Sequence, residues 1–284
     1  MTMRLVLGWF ALVLLASPGG AQASTEGWTY LLDKLVADGV ARAQVERVYR
    51  RVPRFTRVSY AIAPVESKAR YRKLVTGRSV SAARRCLQRH DRWFRAAQSQ
   101  FSVPAGVLSA LIHVESSCGA YTGKSVVLHR LSRLAMANEP ANVGYNVGRW
   151  TRGVPKSKRA EIERQVRERG AYLEATFYPE VRAVFELASK LKIDPLAIRG
   201  STSGAFGLPQ FLPSSYLRFA IDGNGNGKVS LYEPADAIMS AANYLAGHGW
   251  RSGLSTAKQR RVLWAYNRSD AYIDTILSLA ARVE

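Results

Sequence analysis

The chain has 284 residues, 47% of them hydrophobic, enough to bury one sizeable core or two small ones. Lys and Arg number 41 against 21 Asp and Glu, and the formal net charge of +20 asks for an anionic partner. After the first residues no stretch is long and apolar enough to cross a bilayer, and His90, His113, His129 and His248 show no zinc-ligand spacing with either cysteine, so a spanning protein and a zinc protein are both set aside.

Met1 to Arg4 form a short basic start, Leu5 to Ala16 an apolar run, and Ala21-Gln22-Ala23 a small-residue site. Together they read as a secretory signal peptide, residues 1–23, cut after Ala23. No Cys follows that would carry a lipid, so the expectation is a soluble exported or periplasmic protein and not a lipoprotein. Export also redirects the charge. Nucleic acid is not the expected partner, and a cell-wall polymer carrying lactyl and peptide carboxylates, or an anionic membrane surface, takes its place.

In the mature chain, Trp28 to Ala37 and Ala41 to Arg51 have helical periodicity, the first ending at Asp38-Gly39 and the second before Pro53. Arg57 to Val65 reads as an extended connector into Pro64. Glu66 to Val75 and Ser79 to Gln100 are predicted helices. Cys86 and Cys118 are an even pair in an oxidising compartment, where a disulfide is the default and two buried thiols the alternative. A bridge across that loop stabilises by roughly 3 to 4 kcal/mol on the chain-entropy estimate.

Val103 to Gly119, VPAGVLSALIHVESSCG, is the unusual helix. Leu108, Leu111, Ile112 and Glu115 share one face, so a carboxylate occupies the apolar stripe. Pro104 suits the first turn and Gly119 the exit, which places Glu115 in the last turn. Desolvation there raises a carboxyl pKa towards the range of a general acid working near neutrality. The alternative is a Glu at the rim of the core with its head in water.

Beyond Gly119 the pattern predicts a helix near Val126 to Ala137, a loop-rich stretch from Asn138 to Pro155, and helices over Ser157 to Arg169 and Tyr178 to Lys192. Gly200 to Tyr216, GSTSGAFGLPQFLPSSY, combines glycines, prolines, aromatics and Gln210, allowing close backbone approach and a few polar groups against apolar walls; that suits sugar binding. An ordinary loop is the alternative. Asp222 to Glu233, DGNGNGKVSLYE, has the twelve-residue register of an EF-hand loop. Asp222, Asn224 and Asn226 stand at positions one, three and five, Gly227 at six, the Lys228 carbonyl at seven, Ser230 at nine and Glu233 at twelve. A Gly/Asn turn that binds nothing is the alternative. Pro234 to Ala246 is a further helix, and LWAYNRSDAYIDTILSLA reads as a terminal helix bringing Tyr266, Asn267 and Tyr272 together, for sugar binding or for aromatic packing.

In this order, HVESSCG, GSTSGAFGLPQFLPSSYLRFAID, the calcium-like loop, DAIMSAANYLAGHGW and AYNRSDAYI resemble the lytic murein transglycosylase B family over most of the mature chain. The resemblance implies a mainly α, lysozyme-like catalytic domain over 84–284, an N-terminal helical segment over 24–83 packed on it, and a structural Ca2+ in the Asp222–Glu233 loop. It implies cleavage of the bond between N-acetylmuramic acid and N-acetylglucosamine in peptidoglycan, with Glu115 as the catalytic acid/base. Ser201, Gln210, Tyr244, Tyr266, Asn267 and Tyr272 carry over as residues lining the glycan cleft. One segment departs from the family pattern. The connection from the Glu115 helix to Gly200 is longer, with a charged insert at about 138–170 and without the adjacent Arg pair. A second carboxylate, from Asp194, Glu139 or Asp236, would instead allow a lysozyme-like hydrolase, and a wall-binding protein without catalysis is the third reading.

Overall fold

The structure is a computed structural model that describes residues 25–62, 71 and 74–283. The expected signal peptide, residues 1–23, and the helix expected at Glu66 to Val75 apart from Tyr71, Leu74 and Val75, lie outside the described residues.

Two short helices open the chain, α1 (Thr29–Ala37) and α2 (Arg42–Tyr49). Trp28, Leu31, Leu35, Val45 and Tyr49 are fully buried and belong to the same apolar cluster as the rest of the core. Tyr49 exchanges a 2.6 Å hydrogen bond with Ser132. An extended segment follows, pinned where the Asn142 and Asn146 side chains accept from the Val58 and Tyr60 amides at 2.7 and 3.2 Å.

The single helix expected over Ser79 to Gln100 is two. α3 (Gly77–Arg89) and α4 (Asp91–Phe101) meet at His90, which leaves helical geometry at φ −118° and ψ 24°. The break lets the two halves serve different neighbours. α3 packs on α5 (Ala105–Ser116) and on the C-terminal helix α12 (Asp270–Val283), while α4 packs on α10 (Pro234–Gly247).

α5 is the hub. Every residue from Gly106 to Ile112 is buried, so the helix is apolar on all sides rather than along one stripe, as expected of a helix enclosed by others. Its exit is tightly specified: Ser117, Cys118 and Gly119 all have positive φ, and Ser116 Oγ accepts from the Gly119 amide at 3.0 Å. Cys118 is bonded to Cys86 on α3, with Cα atoms 5.9 Å apart.

The stretch expected as loop from Asn138 to Pro155 contains a helix, α7 (Pro140–Trp150). It follows α6 (Val127–Ala135) and one 3-10 turn (Met136–Asn138). Glu139 caps it, accepting from Ala141 and Asn142 amides at 3.0 and 2.7 Å, and Pro140 fits the first turn. Gly144 and Gly148 weaken its sequence signal, but Val143 and the fully buried Asn142 and Asn146 hold it against the extended segment.

The two helices expected beyond it are one 36-residue helix, α8 (Lys156–Leu191), which runs through Pro179. Proline removes one backbone donor. The flanking turns are held by tertiary contacts: Glu174 accepts from Tyr30, Lys34 and Asn138, and Glu180 accepts from the Ser214 hydroxyl at 2.6 Å and its amide at 3.0 Å. The first half of α8 shares a small satellite cluster of Tyr60, Ala137, Val143, Val166 and Leu173 with α7.

β1 (Ser125–Val126) and β2 (Arg199–Gly200) pair antiparallel, Ser125 opposite Gly200. After α9 (Pro213–Phe219) and α10 the terminal region is again two helices, α11 (Thr256–Tyr266) and α12, separated at Asn267, whose φ of −146° is extended.

Candidate active site

Glu115 projects from the last turn of α5, half-buried, into a cleft of about 690 Å³. Ser201, Gln210, Tyr266, Asn267 and Tyr272 line the same cleft. Tyr244 does not. It is buried behind Tyr266 with ring centroids 4.9 Å apart, and its hydroxyl donates to the Ala265 carbonyl at 2.7 Å.

The break between α11 and α12 builds one wall. Ser269 Oγ accepts from the Tyr272 amide at 3.1 Å, capping α12 and setting Tyr272 in its first turn. The Tyr266 and Tyr272 rings then lie nearly parallel, 6.4 Å apart at 8°. Tyr272 donates its phenolic hydrogen to Glu115 Oε1 at 2.7 Å, and Tyr266 donates to the Pro209 carbonyl. Burial first, and then the charge of Glu115, pushes both phenols well above their ordinary value, so both hydroxyls keep their protons across the neutral range.

The facing wall is the loop after β2. Gly123, at φ +88°, packs so closely on Gly200 that a Cβ there would fall 2.1 Å from the Gly200 carbonyl carbon. That contact ties the exit of the Glu115 helix to Ser201. The Ser201 amide donates to the Ala205 carbonyl at 2.7 Å, and its Oγ accepts from the Ser203 and Ala205 amides, which leaves the hydroxyl proton to donate. Gln210, at φ +50°, donates through Nε2 to the Gly207 and Thr122 carbonyls at 2.8 and 3.2 Å, leaving Oε1 as an acceptor.

Sequence reasoning missed Thr202, Ser203, Phe177 and Arg268, which also line the cleft. Thr202, Ser203 and Arg268 adjoin residues already singled out. Phe177 comes from the middle of α8, where nothing local marks it.

Among the described residues lining the cleft, Glu115 is the one carboxylate. The other acids considered are engaged elsewhere. Asp194 forms a two-pronged ion pair with Arg51 at 2.5 and 3.0 Å, Glu139 caps α7, and the fully buried Asp236 accepts from the Gly223 and Ser230 amides.

In the Asp222–Glu233 loop, Asp222 accepts from the Gly225, Asn226 and Gly227 amides, and the Asn224 and Asn226 side chains accept from Asn226 and Lys228 amides. The first of these sets holds the Asp222 carboxyl below the usual carboxylate range, the Gly227 amide foremost. Gly227, at φ +80°, supplies the sharp turn that an EF-hand loop requires at its sixth position. The donor set is carboxylate, two amide oxygens, a carbonyl and a second carboxylate, the hard oxygen chemistry that Ca2+ takes. The loop also abuts the cleft wall, since the Leu231 carbonyl accepts from the Leu208 amide at 2.8 Å, two residues from Gln210.

The pattern of the family described as Transglycosylase SLT domain matches residues 24–261. The chain belongs to this family. Membrane-bound lytic murein transglycosylase B of Escherichia coli (strain K12) is 28% identical over 250 residues, 83% of this chain and 60% of that protein, so the chain spans about 60% of that relative's length. The solved E. coli lytic transglycosylase Slt35 in complex with calcium superposes at TM-score 0.66 and 21% identity, covering 90% of this chain and 92% of that one. The catenated lytic transglycosylase SltB1 from Pseudomonas aeruginosa superposes at TM-score 0.69 and 22% identity, covering 92% and 98%. The mainly helical architecture is therefore the fold of this transglycosylase family.

Proposed function

We propose that this chain is an exported lytic transglycosylase that cleaves peptidoglycan glycan strands between N-acetylmuramic acid and N-acetylglucosamine. The observation that carries the reading is Glu115 as the sole carboxylate among the described cleft residues, bonded to Tyr272 and faced by Ser201, Gln210 and Asn267. Hydrolysis by the usual routes needs a second carboxylate, about 5 Å away to attack or further off to activate water. With one, the same group serves twice. Protonated Glu115 gives its proton to the glycosidic oxygen as the C1–O bond breaks. The resulting carboxylate takes the proton of the muramyl C6 hydroxyl as that oxygen bonds to C1. The product is a 1,6-anhydromuramyl end; no water is consumed and Glu115 regains its proton.

Acid/base assistance of this kind contributes about 10²- to 10⁴-fold, so positioning supplies much of the remainder. Ser201 as donor, Gln210 Oε1 as acceptor and the Tyr266 and Tyr272 edges provide it. In the Asp222–Glu233 loop, the side chains of Asp222, Asn224, Asn226 and Glu233 and the Lys228 carbonyl are proposed to hold Ca2+, which supplies a structural charge that ties this loop and the neighbouring Gln210 wall together.

The test is mass analysis of muropeptides released from purified peptidoglycan by the mature protein and by Glu115→Gln. Anhydro ends from the wild type and none from the variant are expected. Reducing ends one water heavier would replace this reading with a hydrolase, and no release with retained wall binding would leave a sugar-binding cleft.

A further inference from the structure

The described residues that line the cleft offer hydroxyls, amides, aromatic and apolar groups apart from two ionisable side chains. Among the described lining residues Glu115 is the one acidic side chain and Arg268 the one basic one. Arg268 sits in the break between α11 and α12, and the backbone on either side of it is pinned. The Asn267 amide donates to the Leu263 carbonyl at 3.0 Å, the Ser269 amide to the Asn267 carbonyl at 2.8 Å, and Ser269 Oγ caps α12. The backbone that carries the side chain is therefore fixed while the residue is exposed.

Among the described residues no acid is paired with Arg268. Asp270 and Asp274, next along the chain, are both held by Arg260. Arg130, at the facing wall, donates Nε to the Thr202 carbonyl at 2.9 Å and supports that loop instead. An arginine that lines a cleft, with no acid among the described residues paired to it, suits a planar anion, which a guanidinium binds through two parallel N–H bonds.

A β-1,4 glycan backbone of N-acetylated sugars carries no charge. The anionic groups of a murein strand all lie on the arm at the muramyl 3-oxygen, as the lactyl carboxyl where no peptide is attached, or as carboxylates of the stem peptide. We infer that Arg268 is a specificity-determining residue that binds a carboxylate of this muramyl side arm and so selects muramyl strands over uncharged glycans. The inference rests on the glycan-strand reading of the cleft. It places the side arm on the Asn267–Ser269 wall, opposite Ser201.

Binding is measured in the Glu115→Gln background, where strands are not cut, so the result is independent of whether the products are anhydro or reducing ends. Fluorescently labelled strands are prepared with stem peptides, with peptides removed to leave lactyl carboxylates, and with all carboxylates blocked as neutral amides. Adding Arg268→Gln is expected to weaken binding by about 10-fold or more on at least one of the two anionic preparations, the scale for a charge-assisted bond, and to change nothing on the neutral one. Arg268→Lys is expected to recover part of the loss. Loss confined to peptide-bearing strands assigns the contact to the stem, and loss on stripped strands assigns it to the lactyl group. A loss of equal size on neutral strands, or no loss on any preparation, overturns the inference.

Discussion

Tyr272 and Glu115, 157 residues apart in the chain, meet at 2.7 Å, the phenol donating and the carboxylate accepting. The bond joins the first turn of α12 to the last turn of α5, two of the most closely packed helices in the fold. It fixes the direction of the carboxyl group that the proposed chemistry uses.

Replacing Tyr272 with Phe keeps the ring beside Tyr266 and removes only that donor. A hydrogen bond to a charged group has a scale of roughly 10- to 100-fold, so kcat is expected to fall by about that factor. The thermal midpoint is expected to move by no more than about 4 °C. Rate measurements on soluble strands, set beside a melting curve, check both; an unchanged kcat would make the bond purely structural.

Reducing the Cys86–Cys118 bridge, or replacing Cys86 with Ser, is expected to cost roughly 3 to 4 kcal/mol for a sequence separation of 32 residues. The bridge closes three residues beyond Glu115, so activity should fade at a lower temperature than global unfolding. Denaturant midpoints with and without reductant, together with residual activity after heating, measure the two effects separately.

Calcium is expected to raise the melting temperature of the wild type and to leave Asp222→Ala unmoved, because a ligand that binds only the folded form stabilises it by mass action. Chelation is expected to weaken strand binding as well, through the Leu231 to Leu208 contact beside Gln210. Differential scanning calorimetry across a calcium titration would show the stabilisation; a calcium response retained in Asp222→Ala would place the ion elsewhere.

Alkaline stability is expected to fall above pH 10. Burial pushes Tyr30 and Tyr216 up to about 12, the Glu174 contact adding to the first, and lifts Tyr266 and Tyr272 well above 10. In the unfolded chain these phenols titrate near 10. Above that pH the unfolded state holds fewer protons than the folded one, so the stabilisation, complete below pH 10, is lost as pH rises towards the folded values. Phenolate absorbance and circular dichroism followed together should show these tyrosines ionising with unfolding, whereas their ionisation in a fully folded protein would contradict the burial argument.

What the sequence by itself determined is chemistry written within a few neighbouring residues. A carboxylate at i+7 from Leu108 on an apolar helix marks Glu115, twelve consecutive residues spell the Asp222–Glu233 loop, and the order of motifs marks the family. These signals depend on local spacing, and local spacing survives without knowledge of the fold. Where helices begin and end was less legible. His90 and Asn267 interrupt continuous periodicities because the segments on either side pack on different neighbours, and Pro179 fails to interrupt one because Glu174 and Glu180 anchor the helix around it. α7, with its two glycines, forms because Asn142 and Asn146 bind a strand-like segment about 85 residues earlier.

Only the tertiary structure decided which candidate residues share the cleft. It brought Ser201, Gln210, Tyr266, Asn267 and Tyr272 to Glu115, set Tyr244 behind the wall, and added Phe177 from a helix whose local pattern says only that one face is buried. The physical reason is that a cleft is the space left where several elements pack. Its walls are set by long-range contacts such as Gly123 on Gly200 and Tyr272 on Glu115, and no single segment encodes both partners.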